Sequence, residues 1–233
     1  MKKILLIVLL LIVGYSQNPL GYFAEDGWMF FDVDGNSYKT VKIGNQIWMD
    51  ENLKVTHYRN GDPIPNITND DEWVYTEQGA YCNYDNDENN VKTYGRLYNW
   101  FSVNDKRRLA PKGWHIPTDE EWEELVDYLG GDEVAGGKLK SIGTIQNGDG
   151  LWSKPNKGAT NESRFTGLPG GYRLGGNDYY YMGFIVDFWS STEDSRHGGS
   201  GAAWGRNLYY GTSEVGRNTF NKKFGFSVRC IKD

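Results

Sequence analysis

The chain has 233 residues with 25 basic against 31 acidic side chains, a formal charge of −6. That balance excludes nucleic acid and anionic membranes as partners, because phosphate binding needs clustered Lys and Arg. The 30 Gly, 16 Tyr and 9 Trp point instead to short segments joined by tight turns, with large rings between them; there is no periodic repeat, heptad or low-complexity run.

Residues 1–16 read as a signal peptide. Lys2 and Lys3 form a positive n-region, Ile4 to Val13 is an unbroken apolar run, and Gly14-Tyr15-Ser16 puts small residues at the two positions a signal peptidase reads. The run is too short to span a bilayer, which takes about 20 residues. No cysteine follows it to carry a lipid, and the alternative is a buried N-terminal element. Cleavage removes two lysines and no acid, so the charge moves to −8. The expectation is an exported protein, secreted or at the cell surface or periplasm, with no membrane span after cleavage.

Residues 17–31 form a leader segment without a clean period, and the domain proper runs from 32 to 233. Asp34-Gly35-Asn36 is a turn. Two β-prone runs, 37–43 and 46–49, flank Gly44-Asn45 and predict a two-residue hairpin. Residues 57–78, with Pro63, Pro65 and Asn69-Asp70-Asp71, predict an irregular loop. Leu97, Trp100 and Phe101 predict one helix over 94–103. Thr118 and Glu121 form a capping-box pair before Trp122, Leu125, Val126 and Leu129, and Gly130-Gly131 ends that helix. A third helix runs from Glu133 to Lys140, opened by Asp132. Beyond Gly148 short apolar words alternate with Gly, Asn, Ser and Tyr. Helices before small strands, closed by a terminal strand that returns to the first hairpin, predict an α+β fold.

Seven phrases stand out in chain order: YKTVKIGNQIWMDENL (38–53), GAYCNYDND (79–87), YGRLYNWFSVND (94–105), APKGWHIPTDEEW (110–122), GLPGGYR (167–173), FWSSTE (188–193) and KKFGFSVRCIKD (222–233). In this order the sequence resembles the Fibrobacter succinogenes major paralogous domain, a family of exported bacterial proteins. The resemblance implies a C-type-lectin-like domain with two main helices, short antiparallel strands and long loops. It implies no established activity.

Candidate chemistry is sparse. The two cysteines, Cys82 and Cys230, form an even count that in an exported chain predicts a disulfide, with two buried free thiols as the alternative. Asp85-Asn86-Asp87-Glu88 opens like an EF-hand loop, but Asn90 and Arg96 stand where a Gly and a bidentate Glu are required. An irregular Ca²⁺ site on Asp85, Asp87 and Glu88 is the remaining metal expectation, against a solvated acidic turn. The Glu-Pro-Asn triplet of sugar-binding Ca²⁺ lectins is absent. His57, His115 and His197 are scattered, and His115 reads as a packed histidine making one hydrogen bond. No Gly-x-Ser-x-Gly elbow or phosphate loop occurs.

The remaining candidate is a surface. Residues 178–181 and 204–211 mix Tyr, Asn, Arg and Gly as antibody loops do, where Tyr adds contact area at low entropy cost. Tyr179, Tyr180, Arg206, Asn207 and Tyr209 are the expected ligand-binding residues, with core packing an even alternative for Tyr179, Tyr180, Arg206 and Tyr209; Trp189, Trp204 and Phe226 are expected in the core. The functional expectation is a non-catalytic recognition module for a glycan or extracellular protein. The second reading is an enzyme on the same scaffold, either a hydrolase or a formylglycine-generating oxidase, which uses a pair of cysteines; the third is an architectural envelope protein.

Overall fold

A computed structural model describes residues 22–24, 27–175, 178–196 and 201–233. The signal peptide, the first residues of the leader and His197 lie outside the described residues. The elements in chain order are β1 (Tyr22–Ala24), β2 (Gly27–Phe31), β3 (Ser37–Ile43), β4 (Gln46–Met49), α1 (Asp70–Tyr75), β5 (Tyr81–Cys82), α2 (Val91–Tyr94) and β6 (Leu97–Tyr98). They continue with α3 (Trp100–Val103), β7 (Trp114–His115), α4 (Asp119–Tyr128), α5 (Asp132–Leu139), β8 (Tyr172–Arg173) and β9 (Tyr179–Tyr180). The last four are β10 (Ile185–Glu193), β11 (Ala202–Tyr209), β12 (Val215–Asn221) and β13 (Ile231–Lys232). The architecture is α+β.

The first sheet has the order β1-β2-β3-β4-β13-β7, and its pairings are antiparallel. The β3–β4 hairpin turns at Gly44-Asn45 with Ile43 opposite Gln46, as the sequence predicts. Gly44 sits at φ 61, a left-handed conformation that favours glycine, and a Cβ there would crowd the Tyr128 ring at 3.0 Å. The returning strand is also as expected, since Ile231 pairs with Trp48. The leader differs from expectation. Its second half forms β1 and β2, and β2 pairs with β3, placing the Phe30 ring 4.3 Å from the Trp114 ring.

Helix α4 has the ends its sequence announces. The Thr118 hydroxyl accepts from the Glu121 N–H at 3.2 Å, and the Glu121 carboxylate accepts from the Thr118 N–H at 2.8 Å. At the other end Gly131 N–H reaches Val126 O and Gly130 N–H reaches Asp127 O, a Schellman closure. Trp122, Leu125, Val126 and Leu129 are buried together against Trp48, Phe165 and Phe188.

Two expectations are corrected. The single helix over 94–103 is instead α2, β6 and α3. Gly95 at φ 76 breaks it where a Cβ would lie 2.7 Å from the Asn52 side chain, and the Asn99 side chain starts α3 by accepting from Ser102 N–H. The irregular 57–78 segment contains α1, where the Asn69 side chain caps Glu72 N–H, acidic residues fill the first turn and Trp73 is buried.

Strands β10, β11 and β12 form a second antiparallel sheet. The stretch Gly225–Cys230 threads between the two sheets. Its backbone bonds Tyr98 through Phe226, Asp187 and Trp189 through Ser227, Leu53 through Val228 and Met49 through Cys230. Burying Phe226, Val228 and Cys230 along this seam stabilises both sheets at once, at roughly 25 cal/mol per Å² of apolar surface.

Candidate functional site

Strand alternation gives the second sheet two faces. Ile185, Asp187 and Trp189 point one way, with cross-strand partners Tyr209, Asn207 and Gly205. Val186 and Phe188 point the other way, with Leu208 and Arg206 opposite them. The packing agrees: Phe188 and Leu208 join the Trp122 cluster, and Trp189 joins the Phe226 cluster.

The first face carries the candidate site. The β8–β9 segment lays three rings near it, with Tyr172 centred 5.9 Å from Tyr180 and 6.0 Å from Tyr181. Tyr180 and Tyr181 are themselves 5.9 Å apart. Tyr172 stands edge-on to Phe226, which fixes the group to the core. Tyr181 is 56% exposed and Tyr209 40% exposed. Tyr181 adopts φ 62, a backbone conformation rare for an aromatic residue, and its carbonyl accepts from both Phe184 and Ile185 N–H groups. The Tyr180 hydroxyl donates to Asp178 at 2.7 Å.

Beside the rings the sheet is polar at Asn207, while at Gly205 the Phe220 ring covers it. Gly205 lies across from Asn218, and Gly216 across from Asn207. A Cβ on Gly216 would lie 2.1 Å from Asn207 Oδ1, so glycine leaves room for the amide. Asp187 is buried beneath, with its Oδ2 unpartnered. Burial pushes its carboxyl up to about 7, although a hydrogen bond with Asn207 opposes the shift. Tyr172 is raised first by burial and then by the Asp187 charge, which places the two within electrostatic reach. Tyr209 bonds the neighbouring Tyr210 hydroxyl, which raises it, and feels the Tyr181 charge.

Of the five expected ligand residues, Tyr180, Asn207 and Tyr209 belong to this face. Arg206 does not. It is buried on the opposite face, where Asp119 and Glu123 hold it. Tyr179 is also turned away: its hydroxyl donates to Asn86, and its ring packs on Tyr84 and the Arg173 guanidinium. A strict period of two separates Arg206 from Asn207 and Tyr179 from Tyr180, and that signal was legible in the sequence. Tyr172 and Asp187 are members that composition alone does not reveal, whereas Tyr181 lies in the 178–181 stretch singled out by composition. Trp189 and Phe226 are core residues, but Trp204 is half-buried between the Arg196 and Arg217 guanidiniums, 4.4 and 4.1 Å from its ring.

The acidic turn holds no assembled ion site. Asp87 accepts from Asn89 N–H, while Glu88 takes Arg96 at 2.8 Å and Asn83 at 2.7 Å. Asp85 is exposed at φ 54. Among the described residues no group of three His, Cys, Asp or Glu side chains is placed to hold a metal.

The disulfide expectation is corrected: Cys82 and Cys230 are free, buried thiols. Cys230 packs in the cluster of Tyr38, Trp100 and Trp189, and Cys82 in a separate cluster with Trp73 and Leu97. Burial pushes both thiols up. His115 makes two bonds rather than one, to Asp233 and Glu121, each at 2.8 Å. Burial opposes its protonation, yet the two carboxylates raise it overall. No helix among the described residues is long and apolar enough to cross a membrane.

A family model described as the Fibrobacter succinogenes major domain matches residues 41–232, and the chain belongs to that family. No curated protein and no solved structure matches the chain.

Proposed function

We propose that this member of the Fibrobacter succinogenes major domain family is an exported, non-catalytic recognition module, and that its α+β fold is of the C-type-lectin-like kind. The ligand in this reading is a glycan, lying on Tyr172, Tyr180, Tyr181 and Tyr209 with its hydroxyls toward Asn207.

One observation carries it. Exposed tyrosine rings are grouped beside an amide-bearing strip of sheet, with a buried carboxyl beneath. Flat rings offer apolar contact to the C–H face of a sugar, and the adjacent Asn207 amide supplies orientation. The formylglycine-type reading needs two cysteines together, and here they sit in different clusters.

The test is a glycan array probed with the purified protein, alongside capture of extracellular proteins. Retention on one glycan class, lost on Tyr181→Ala, supports the reading. Capture of a protein with no glycan retained would replace the ligand class, and neither would remove the face from consideration.

A further inference from the structure

Strand β10 ends on a second, separate cleft. Its Ser191 lies six residues beyond Ile185, about 20 Å away by the rise of a strand. This cleft has a volume of about 320 Å³ and is lined by Arg59, Arg108, Thr118 and Ser191 over Leu109 and Ile116.

The two arginines are held as neighbours by the main chain, since the Arg59 N–H donates to the Arg108 carbonyl at 2.8 Å. Arg59 is fixed further: its Nε donates to Ala110 O, and its Nη2 to Pro111 O and Trp114 O. Arg108 sits at φ 63, a conformation an arginine rarely adopts, and its N–H is tied to Asp105 O at 2.9 Å.

Among the described residues no carboxylate forms an ion pair with either arginine. Asp105 also lines the cleft, but Arg107 occupies both its oxygens at 2.9 and 2.7 Å. Glu121 and Asp233 are both committed to His115. Among the described residues Arg108 has no acidic partner. Burial, and then the Arg108 charge, push the Arg59 guanidinium down, and the smaller opposing pull of the Asp233 carboxylate does not cancel them. In a chain of formal charge −6, two arginines in one cleft without an ion-paired carboxylate favour an anion there. A planar guanidinium matches a carboxylate with two parallel bonds. The Thr118 hydroxyl accepts its cap bond from Glu121 and keeps its own proton to donate. The Ser191 hydroxyl stands on the same wall.

We propose that this cleft is a second binding site, for a carboxylate carried on a small polar ring such as one hexuronic acid unit. Arg108 and Arg59 take the carboxylate, and Thr118 and Ser191 take neighbouring oxygens. The site is independent of the tyrosine face.

Calorimetric titration of the full chain at low salt with D-glucuronate, D-glucose and inorganic sulfate tests it. The expected result is saturable one-site binding of glucuronate, none of glucose, and sulfate at least about tenfold weaker. Arg108→Ala should lose at least about tenfold in glucuronate affinity at an unchanged melting temperature, because the side chain is exposed, and Arg108→Lys should recover part of it. Tyr209→Ala should leave this binding untouched. The proposal is overturned if glucuronate fails to saturate, if glucose binds as well, or if sulfate binds as tightly. It is equally overturned if Arg108→Ala changes nothing or if Tyr209→Ala abolishes the binding.

Discussion

Arg206 Nη1 lies 2.5 Å from Asp119 Oδ1, with both side chains buried where β11 meets α4. Asp119 also takes Arg217 at 2.5 Å, and Glu123 takes Arg206 at 3.2 Å. This ion pair fixes Arg206 on the face of the second sheet that packs on α4, opposite Asn207 and Tyr209.

Arg206→Ala should therefore destabilise the domain by about 3 to 5 kcal/mol, because it removes the buried one of the two arginines that hold the buried Asp119 carboxylate. The urea midpoint reads this directly. A loss below about 1 kcal/mol would mean that Arg217 alone satisfies Asp119, and the ion pair would then not anchor the sheet.

Asp187 gives a pH signature. Its folded carboxyl stands near 7, against about 3.9 in an unfolded chain. Between those values the folded state binds more protons than the unfolded one, so stability falls as pH rises from about 4 to 7 and then levels. Asp187→Asn should flatten that slope and raise stability at pH 8. His115, raised by its two carboxylates, also loses its stabilising contribution as pH rises through its folded value, so the curves of the variant and parent are compared by difference. Parallel curves would show that Asp187 does not titrate in this window.

The two cysteines should both be free. Thiol titration of unreduced, denatured protein is expected to find two thiols, and native protein should react slowly, since buried thiols with raised pKa hold little thiolate. Reductant should leave the melting temperature unchanged. A fall on reduction would restore the disulfide.

Thr118→Ala should cost about 1 kcal/mol through the lost cap, and Leu125→Ala about 2 to 5 kcal/mol through the cavity it leaves. Equal, small losses would mean that α4 does not pack as described.

Local signals were the ones the sequence carried well. The Gly44-Asn45 turn, the Thr118–Glu121 box and the Gly130-Gly131 stop each depend on a few adjacent residues, and each stands where expected. The split of the 94–103 helix was not legible, because Gly95 is needed for the close approach of Asn52, a contact 43 residues away in sequence that no local pattern encodes. The same holds for the site. Composition named Tyr180, Asn207 and Tyr209, which share one face, but it grouped Arg206 with them although alternation along β11 turns it to Asp119. Tyr172 and Asp187 come to the face only through the pairing of β8 with β9 and of β10 with β11.

The tyrosine face is tested most directly by measuring, on the same preparations, the affinity for the retained glycan and the melting temperature of Tyr181→Ala and Tyr209→Ala. Both rings are exposed, so stability should stay within about 0.5 kcal/mol of the parent. Glycan affinity should fall at least about tenfold, in keeping with aromatic anchors at a binding surface. Unchanged affinity in both variants, with the fold intact, would contradict the recognition face.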